Sequence, residues 1–145
     1  MDRELMLKTI QDAYAARVRG DLDGVMQAFA CDAQFQINTA PEEKPLAHFC
    51  QDTGALRNSL AQLIETFEFS NMKIIDSIVE GEKAAVRLSF TIQAKPTGKS
   101  VTTEVLDIFE FKDGKIAAMT QFCDTAVAAQ LLEPASGRSE AFAQA

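Results

Sequence analysis

The N-terminal part of the chain carries apolar residues three and four positions apart, which is the spacing of a helix buried on one side. This first series runs Met6, Leu7, Ile10, Ala13, Tyr14 and Val18. It predicts a helix over about residues 4–19 that ends at Gly20, because glycine adopts a left-handed cap without steric cost. Asp21 can cap a second short helix through Ala30, and similar spacing predicts a third helix over about residues 53–67.

Further along, segments that alternate between apolar and polar residues have the pattern of strands buried on one face. They cover about residues 33–38, 68–79, 83–93, 101–111 and 115–125. Asp113 and Gly114 separate the last two segments, and this pair predicts a tight hairpin because both residues tolerate a positive φ. Pro41 and Pro45 predict an irregular loop between the first strand and the third helix.

The order of these elements indicates the fold class. Helix, helix, strand and helix are followed by a long antiparallel meander, which predicts an α+β domain with helices on one face of a curved sheet. No internal repeat or change of composition divides the chain. We expect one domain over residues 1–132 and a flexible tail over residues 133–145, where small and polar residues dominate.

Composition and charge narrow the functional classes. The chain has 145 residues and a net charge of −7, and its basic cluster, Arg17 and Arg19, is small. A negative protein without a concentrated basic patch repels phosphate, so we expect no nucleic-acid partner. The N-terminus lacks a signal-peptide core and no apolar run reaches membrane-spanning length, so we expect a cytoplasmic protein with no membrane partner.

The cysteine and histidine content argues against a metal or a disulfide framework. Cys31, Cys50 and Cys123 are odd in number and widely spaced, and His48 is the single histidine. The chain also lacks a Gly-rich phosphate loop. We therefore expect reduced thiols, no metal and no cofactor.

The strand over residues 101–111 combines an apolar face with one carboxylate. Val105, Asp107 and Phe109 share a face because side chains alternate with period two. Leu106 and Ile108 make the opposite face partly apolar as well. We expect a pocket containing Asp107 on one side of the strand and a partner subunit on the other.

Three segments carry a resemblance to a known family: Arg19–Val25, Phe29–Ala33 and Asp107–Ile116. In this order they resemble the nuclear-transport-factor-2-like superfamily, in particular its SnoaL-like and ketosteroid-isomerase-like group. The resemblance implies a cone-shaped domain whose curved antiparallel sheet wraps about three helices around a deep apolar pocket. It also implies a homodimer through the outer sheet face.

The resemblance further implies which residues line the pocket and what they bind. The ligand would be a small hydrophobic, oxygenated molecule. Besides Asp107, the ligand-binding set would be Phe35, Ile37, Val86, Leu88, Phe90, Val105, Phe109, Met119, Gln121 and Cys123.

The catalytic residues of the family carry over only in part. Asp107 aligns with the protonated Asp of the ketosteroid-isomerase oxyanion hole, but Ile37 stands where that enzyme has its base. The oxyanion Tyr aligns with Ala13, one residue before Tyr14, and one residue turns a helical side chain by about 100°. Gln121 occupies the position of the catalytic acid in the epoxide-hydrolase branch.

The catalytic candidates are Asp107, His48 and Tyr14, and each has a structural alternative. Asp107 could be an acid, a ligand hydrogen-bond donor, or a buried carboxyl bonded to Tyr14 or Gln121, and burial would raise its pKa. His48 could be a general base or a solvent-exposed loop residue. Tyr14 could be an oxyanion donor or a core residue.

Whether the protein is an enzyme stays open at this point. An isomerase, cyclase or dehydratase acting by acid–base chemistry fits the pocket. A non-catalytic ligand-binding module or a dimeric scaffold of the same fold fits it as well.

Overall fold

The computed structural model describes residues 2–38, 49–50 and 53–133. His48 and residues 134–145 of the expected tail lie outside them. The elements are helix α1 (Arg3–Arg19), helix α2 (Leu22–Met26), strand β1 (Phe29–Asn38), strand β2 (Phe49–Cys50), helix α3 (Thr53–Thr66), strand β3 (Phe67–Glu80), strand β4 (Lys83–Ala94), strand β5 (Ser100–Lys112), strand β6 (Lys115–Phe122) and helix α4 (Thr125–Leu132).

Helix α1 has the ends that its sequence predicts. Asp2 caps it by accepting a hydrogen bond from the Leu5 amide, and Gly20 ends it in the left-handed conformation with φ 72°. Met6, Ile10, Ala13 and Ala16 are buried along one side. Val18 was expected on this side as well, but it is 38% exposed, so that expectation was wrong.

The described strands form one curved, open sheet in the order β2-β1-β6-β5-β4-β3. The pairs β3–β4, β4–β5 and β5–β6 are antiparallel, as the meander predicts, whereas β1 pairs with β6 in parallel. Asn71 adopts a positive φ of 52° where the β3–β4 register shifts. A local irregularity of this kind bends a strand and increases its twist.

The hairpin between β5 and β6 confirms the turn expected from Asp113 and Gly114. Lys112 and Lys115 are paired across it, and the two turn residues have φ values of 52° and 80°. Both central residues of a type I′ turn need a positive φ, which Asp and Gly accept at low cost. The turn therefore sets the register of the long β5–β6 pair, including the position opposite Asp107.

Several element boundaries differ from the expected ones. Helix α2 ends at Met26, and β1 begins at Phe29 rather than Ala33. Strand β6 ends at Phe122, after which Asp124 caps α4, a helix that the alternating pattern did not predict. Short local patterns could not decide these points, because each of the segments gains its burial from contacts with distant parts of the chain.

The core lies between the helices and the inner face of the sheet. Strand β4 shows the alternation most clearly, since Ala84, Val86, Leu88, Phe90 and Ile92 are all buried. Across the sheet, Val86 is paired with Asp107, and Asp107 is paired with Gln121 on β6. This row of paired residues brings one carboxyl group into an otherwise apolar interior.

Candidate functional site

A cavity of about 110 Å³ lies between the helices and the inner face of the sheet. For comparison, an engineered protein cavity of about 150 Å³ binds benzene, so this one has room for about one small ring. Its wall is mostly aliphatic and aromatic and comes from α1, α2, α3, α4 and five strands. The polar or ionisable side chains in the wall are Tyr14, Arg17, Thr103, Gln121, Cys123 and Asp124.

Asp107 is the only polar or charged residue in the buried class among the described residues, and its side chain is fully buried. It does not itself line the cavity. Tyr14, which lines the cavity, donates a hydrogen bond of 2.6 Å from its hydroxyl to Asp107 Oδ2. Tyr14 therefore connects the buried carboxyl group to the cavity.

The other carboxyl oxygen, Oδ1, has no hydrogen-bond partner among the described residues. The Gln121 side chain faces Asp107 across the β5–β6 pair and is near enough to favour the charged form, although the geometry falls short of a well-formed hydrogen bond. An unsatisfied buried oxygen costs free energy in the charged form. The site thus holds one carboxyl oxygen that only a proton, a water or a ligand would satisfy.

The ionisation of the pair follows from this environment. Burial raises the pKa of Asp107 to about 6, against the opposing effects of Tyr14 and Gln121. Burial, together with the negative charge and hydrogen bond of Asp107, raises the pKa of Tyr14 far above its ordinary value. At neutral pH Tyr14 is therefore protonated, whereas Asp107 changes its charge at a pH only slightly below neutral.

Tyr14 is held in position by its packing. Its ring contacts Phe109 edge to face, with ring centroids 6.2 Å apart and planes inclined by 69°. Phe109 lies two residues from Asp107 on the same face of β5. The strand that carries the carboxyl group therefore also fixes the ring that binds it.

Arg17 is the functional candidate that sequence reasoning missed. It lies one helical turn after Tyr14 and lines the same cavity, and its guanidinium carbon is 3.8 Å from the centroid of the Phe69 ring. The sequence did contain a signal, because Arg17 stands seven residues after Ile10 and three after Tyr14. The sequence analysis counted Arg17 only in a small basic cluster with Arg19, and the inward position was assigned to Val18 instead.

The structure brings together most of the residues expected in the pocket. The cavity wall contains Tyr14, Phe35, Ile37, Phe90, Val105, Phe109, Met119, Gln121 and Cys123. Val86 and Leu88 are on the same sheet face but are buried in the core and do not line the cavity. The family resemblance placed them in the wall and the alternation of β4 agreed, but alternation gives the face of a side chain and not its distance from the cavity. His48 is outside the described residues.

The described residues contain no group of three or more His, Cys, Asp or Glu side chains arranged to hold a metal ion. In the same part of the chain, every helix is too short or too polar to cross a membrane. The polar side chains of the cavity wall, together with Asp107 behind it, can form hydrogen bonds and transfer protons.

The curved sheet packs against the helices and encloses an apolar cavity between them. This arrangement is the nuclear-transport-factor-2-like class of α+β fold. Residues 10–119 match the SnoaL-like domain model, and the chain belongs to the SnoaL-like domain family. A search of curated proteins found no match.

Solved structures support the assignment of the fold. A protein of the same class and of unknown function from Burkholderia pseudomallei superposes with a TM-score of 0.78 at 21% identity, over 91% of this chain and 98% of that one. A Jannaschia protein provisionally named a SnoaL-like polyketide cyclase superposes with a TM-score of 0.74 at 16% identity, over 92% of this chain and 99% of that one. An LEH-like epoxide hydrolase from M. tuberculosis superposes with a TM-score of 0.67 at 16% identity, over 85% of each chain.

Proposed function

We propose that this protein binds a small hydrophobic, oxygenated metabolite in its cavity and acts on it as an acid–base enzyme of the isomerase, cyclase or dehydratase type. The observation that carries the proposal is the hydrogen bond of 2.6 Å between Tyr14 and the fully buried Asp107, at the wall of an otherwise apolar cavity. Buried ionisable pairs of this kind are characteristic of sites that move protons.

The pair can change the polarity of the Tyr14 hydroxyl. When Asp107 is ionised, the Tyr14 proton is committed to Asp107 Oδ2, and the hydroxyl oxygen offers the cavity only lone pairs. When Asp107 is protonated, it can donate to the Tyr14 oxygen, and the Tyr14 proton is released toward a ligand carbonyl. Protonation of Asp107 thus converts Tyr14 into a hydrogen-bond donor for negative charge that develops on the ligand.

The carboxylate in the described cavity wall, Asp124, does not replace the missing base, because it caps α4 by accepting a hydrogen bond from the Val127 amide. Ile37 lies beside Gln121, which in turn faces Asp107, so the position that would hold a carboxylate base is aliphatic. His48 therefore remains the candidate base. If it has this role, His48→Ala lowers turnover by on the order of a hundredfold.

A ketone tests the proposed role of Tyr14 and Asp107, because it has no ionisable group and any pH dependence of its binding signal comes from the protein. Acetophenone labelled with carbon-13 at its carbonyl should bind, and its carbonyl resonance should report a hydrogen bond that weakens as the pH rises through about 6. Tyr14→Phe should abolish this signal, and Asp107→Asn should remove its pH dependence. Ala128→Phe, which adds bulk to the cavity wall, should abolish binding. An unchanged carbonyl resonance in Tyr14→Phe would contradict the proposal.

A second candidate function is ligand binding without catalysis. Two observations favour binding without catalysis. Ile37 stands at the position of the base, and Asp107 does not line the cavity directly. Isomerisation of 3-cyclohexenone to its conjugated isomer, followed by ultraviolet absorbance, distinguishes the two. Binding of the ketone with no isomerisation above the rate in buffer favours the binding module.

We also propose that the protein is a homodimer through the outer face of its sheet. Leu106 and Phe122 are paired neighbours on that face, and each is 39% exposed. Ile78, on β3, is 66% exposed in the adjacent row. A contiguous apolar surface of this kind is seldom left bare in a monomer.

A further inference from the structure

From the environment of Arg17 we infer that the cavity takes a ligand with a carboxylate group, which Arg17 binds while the apolar body of the ligand occupies the rest of the cavity. This inference deepens the proposed function and rests on it only in placing the ligand in the same cavity. The inference names the chemical class of the ligand, whereas the proposed role of Tyr14 and Asp107 describes the reaction of that ligand.

The first step is the position of the guanidinium group. Arg17 is partly buried in the cavity wall and lies over the Phe69 ring, so one of its faces is covered by an aromatic ring. Its Nη2 atom donates hydrogen bonds to the carbonyl oxygens of Leu63, at 3.1 Å, and Phe67, at 2.8 Å. These contacts hold the group in one orientation before any ligand arrives.

The second step is the bonding that these contacts leave incomplete. Both hydrogen bonds use Nη2, and Nε and Nη1 have no hydrogen-bond partner among the described residues. A guanidinium group carries five N–H donors, so most of its capacity is unused. A purely structural role at the end of α3 accounts for Nη2 but leaves the other nitrogens without a function.

The third step is charge. No carboxylate among residues 2–38, 49–50 and 53–133 forms an ion pair with Arg17, whereas Arg19, two residues away, is paired with Asp21. Burial lowers the pKa of Arg17 to about 10, which still leaves it positively charged at neutral pH. A partly desolvated charge without a counter-ion is costly, and an anionic ligand group would offset that cost.

The fourth step is the choice of anion. A single guanidinium group neutralises one negative charge, which matches a carboxylate better than a phosphate dianion. Asp107 and Asp124 contribute negative charge elsewhere in or behind the wall, so an anion is favoured only at the Arg17 position. The volume of about 110 Å³ leaves room for an aromatic or alicyclic ring as the apolar body.

The test compares two probes of nearly equal shape, para-fluorobenzoate and the neutral para-fluorobenzamide, by fluorine NMR. The wild-type protein should bind the acid more tightly than the amide by on the order of tenfold or more, because a charge-assisted hydrogen bond replaces a neutral one. Arg17→Gln should bind the two probes equally, since its amide can still donate to a carbonyl but carries no charge. Arg19→Gln, a change of the same type at an exposed and ion-paired position, should keep the preference.

The outcomes separate this inference from the proposed function. Equal or weaker binding of the acid by the wild-type protein overturns the inference, and that comparison requires no variant to fold. Retention of the preference in a folded Arg17→Gln protein overturns it as well. If the acid is preferred through Arg17 but the labelled ketone reports no hydrogen bond from Tyr14, the inference stands and the proposed acid–base function fails.

Discussion

At the scale of single residues, the Tyr14–Asp107 pair determines the electrostatics of the interior. The short hydrogen bond joins a helix residue to a strand residue that are far apart in the chain. Burial raises the pKa of Asp107, whereas its hydrogen bond from Tyr14 lowers it, and burial dominates. The protein therefore contains a carboxyl group that changes its charge close to physiological pH.

This titration predicts a pH dependence of stability. The pKa of Asp107 is about 6 in the folded protein and near 3.8 in the unfolded chain, so between these values the folded state binds more protons. The stabilising contribution is therefore full below about pH 4 and is lost as the pH rises through about 6, by roughly 3 kcal/mol. Urea unfolding at successive pH values should show this loss, and Asp107→Asn should remove it. Asp113→Asn, in the exposed hairpin turn, is the matched control and should keep it.

Removing the hydroxyl of Tyr14 should act on the same carboxyl group. Tyr14→Phe leaves both oxygens of Asp107 without a donor, so we expect a further rise in the pKa of Asp107 in a carboxyl-resolved NMR titration. At neutral pH, where the carboxylate is charged, the free energy of unfolding should fall by about 1–3 kcal/mol. Below the pKa of Asp107 the loss should be smaller. An unchanged or lowered pKa would show that the hydrogen bond is not formed in solution.

At the scale of elements, α4 closes the cavity with Val127, Ala128 and Leu131. Its first turn is capped by Asp124, whose Oδ1 accepts a hydrogen bond of 3.1 Å from the Val127 amide. Its last turn is held by the β4–β5 connection, where Thr97 donates to the Leu131 carbonyl and Lys99 donates to the Glu133 carbonyl. One wall of the cavity thus depends on contacts at both ends of a short helix.

We expect Asp124→Ala to reduce stability by about 1 kcal/mol and to weaken binding of neutral ketones, because an uncapped helix of eight residues frays. Asp124→Asn keeps a capping oxygen and removes the charge, so it should behave like the wild type in both respects. Urea unfolding and the ketone titration provide the two measurements. A loss of binding in Asp124→Asn would instead indicate that the charge of Asp124 contacts the ligand.

At the scale of the whole molecule, the sheet has two apolar surfaces. Its inner face packs on the helices, and its outer face presents Leu106 and Phe122 beside the ion pair between Arg87 and Glu104, whose Nε and Oε1 are 2.6 Å apart. Ile108 is half-buried in the next row and is paired with Thr120 and Ala85. The proposed dimer would bury this surface.

Ile108→Glu should convert the dimer into a monomer and lower its stability, because it places a charge at the centre of the proposed interface. Leu5→Glu is the matched control, since Leu5 is exposed on α1, away from the sheet, and this variant should keep the wild-type mass. Light scattering at micromolar concentration measures both. A wild-type mass of one chain would contradict the proposed dimer.

The sequence alone predicted the elements whose signals are local. Gly20 ends α1, Asp113 and Gly114 form the hairpin turn, and the alternation in β4 assigns its inner face, because each signal depends on backbone preference or on side-chain period. The carboxyl group of Asp107 stood out for the same reason, as one polar residue on an apolar strand face. The family resemblance then indicated the fold in which these elements combine, and the family model confirms that assignment.

Only the tertiary structure decided how these elements meet. The parallel pairing of β1 with β6 and the closure of the cavity by α4 arise from contacts between distant segments, which local patterns do not encode. The hydrogen bond from Tyr14 to Asp107 depends on the orientation of α1 against β5, and a helix turns each successive side chain by about 100°. The same rotation puts Arg17, rather than Val18, in the cavity wall, because the packing of α1 on its neighbours selects which residues face inward.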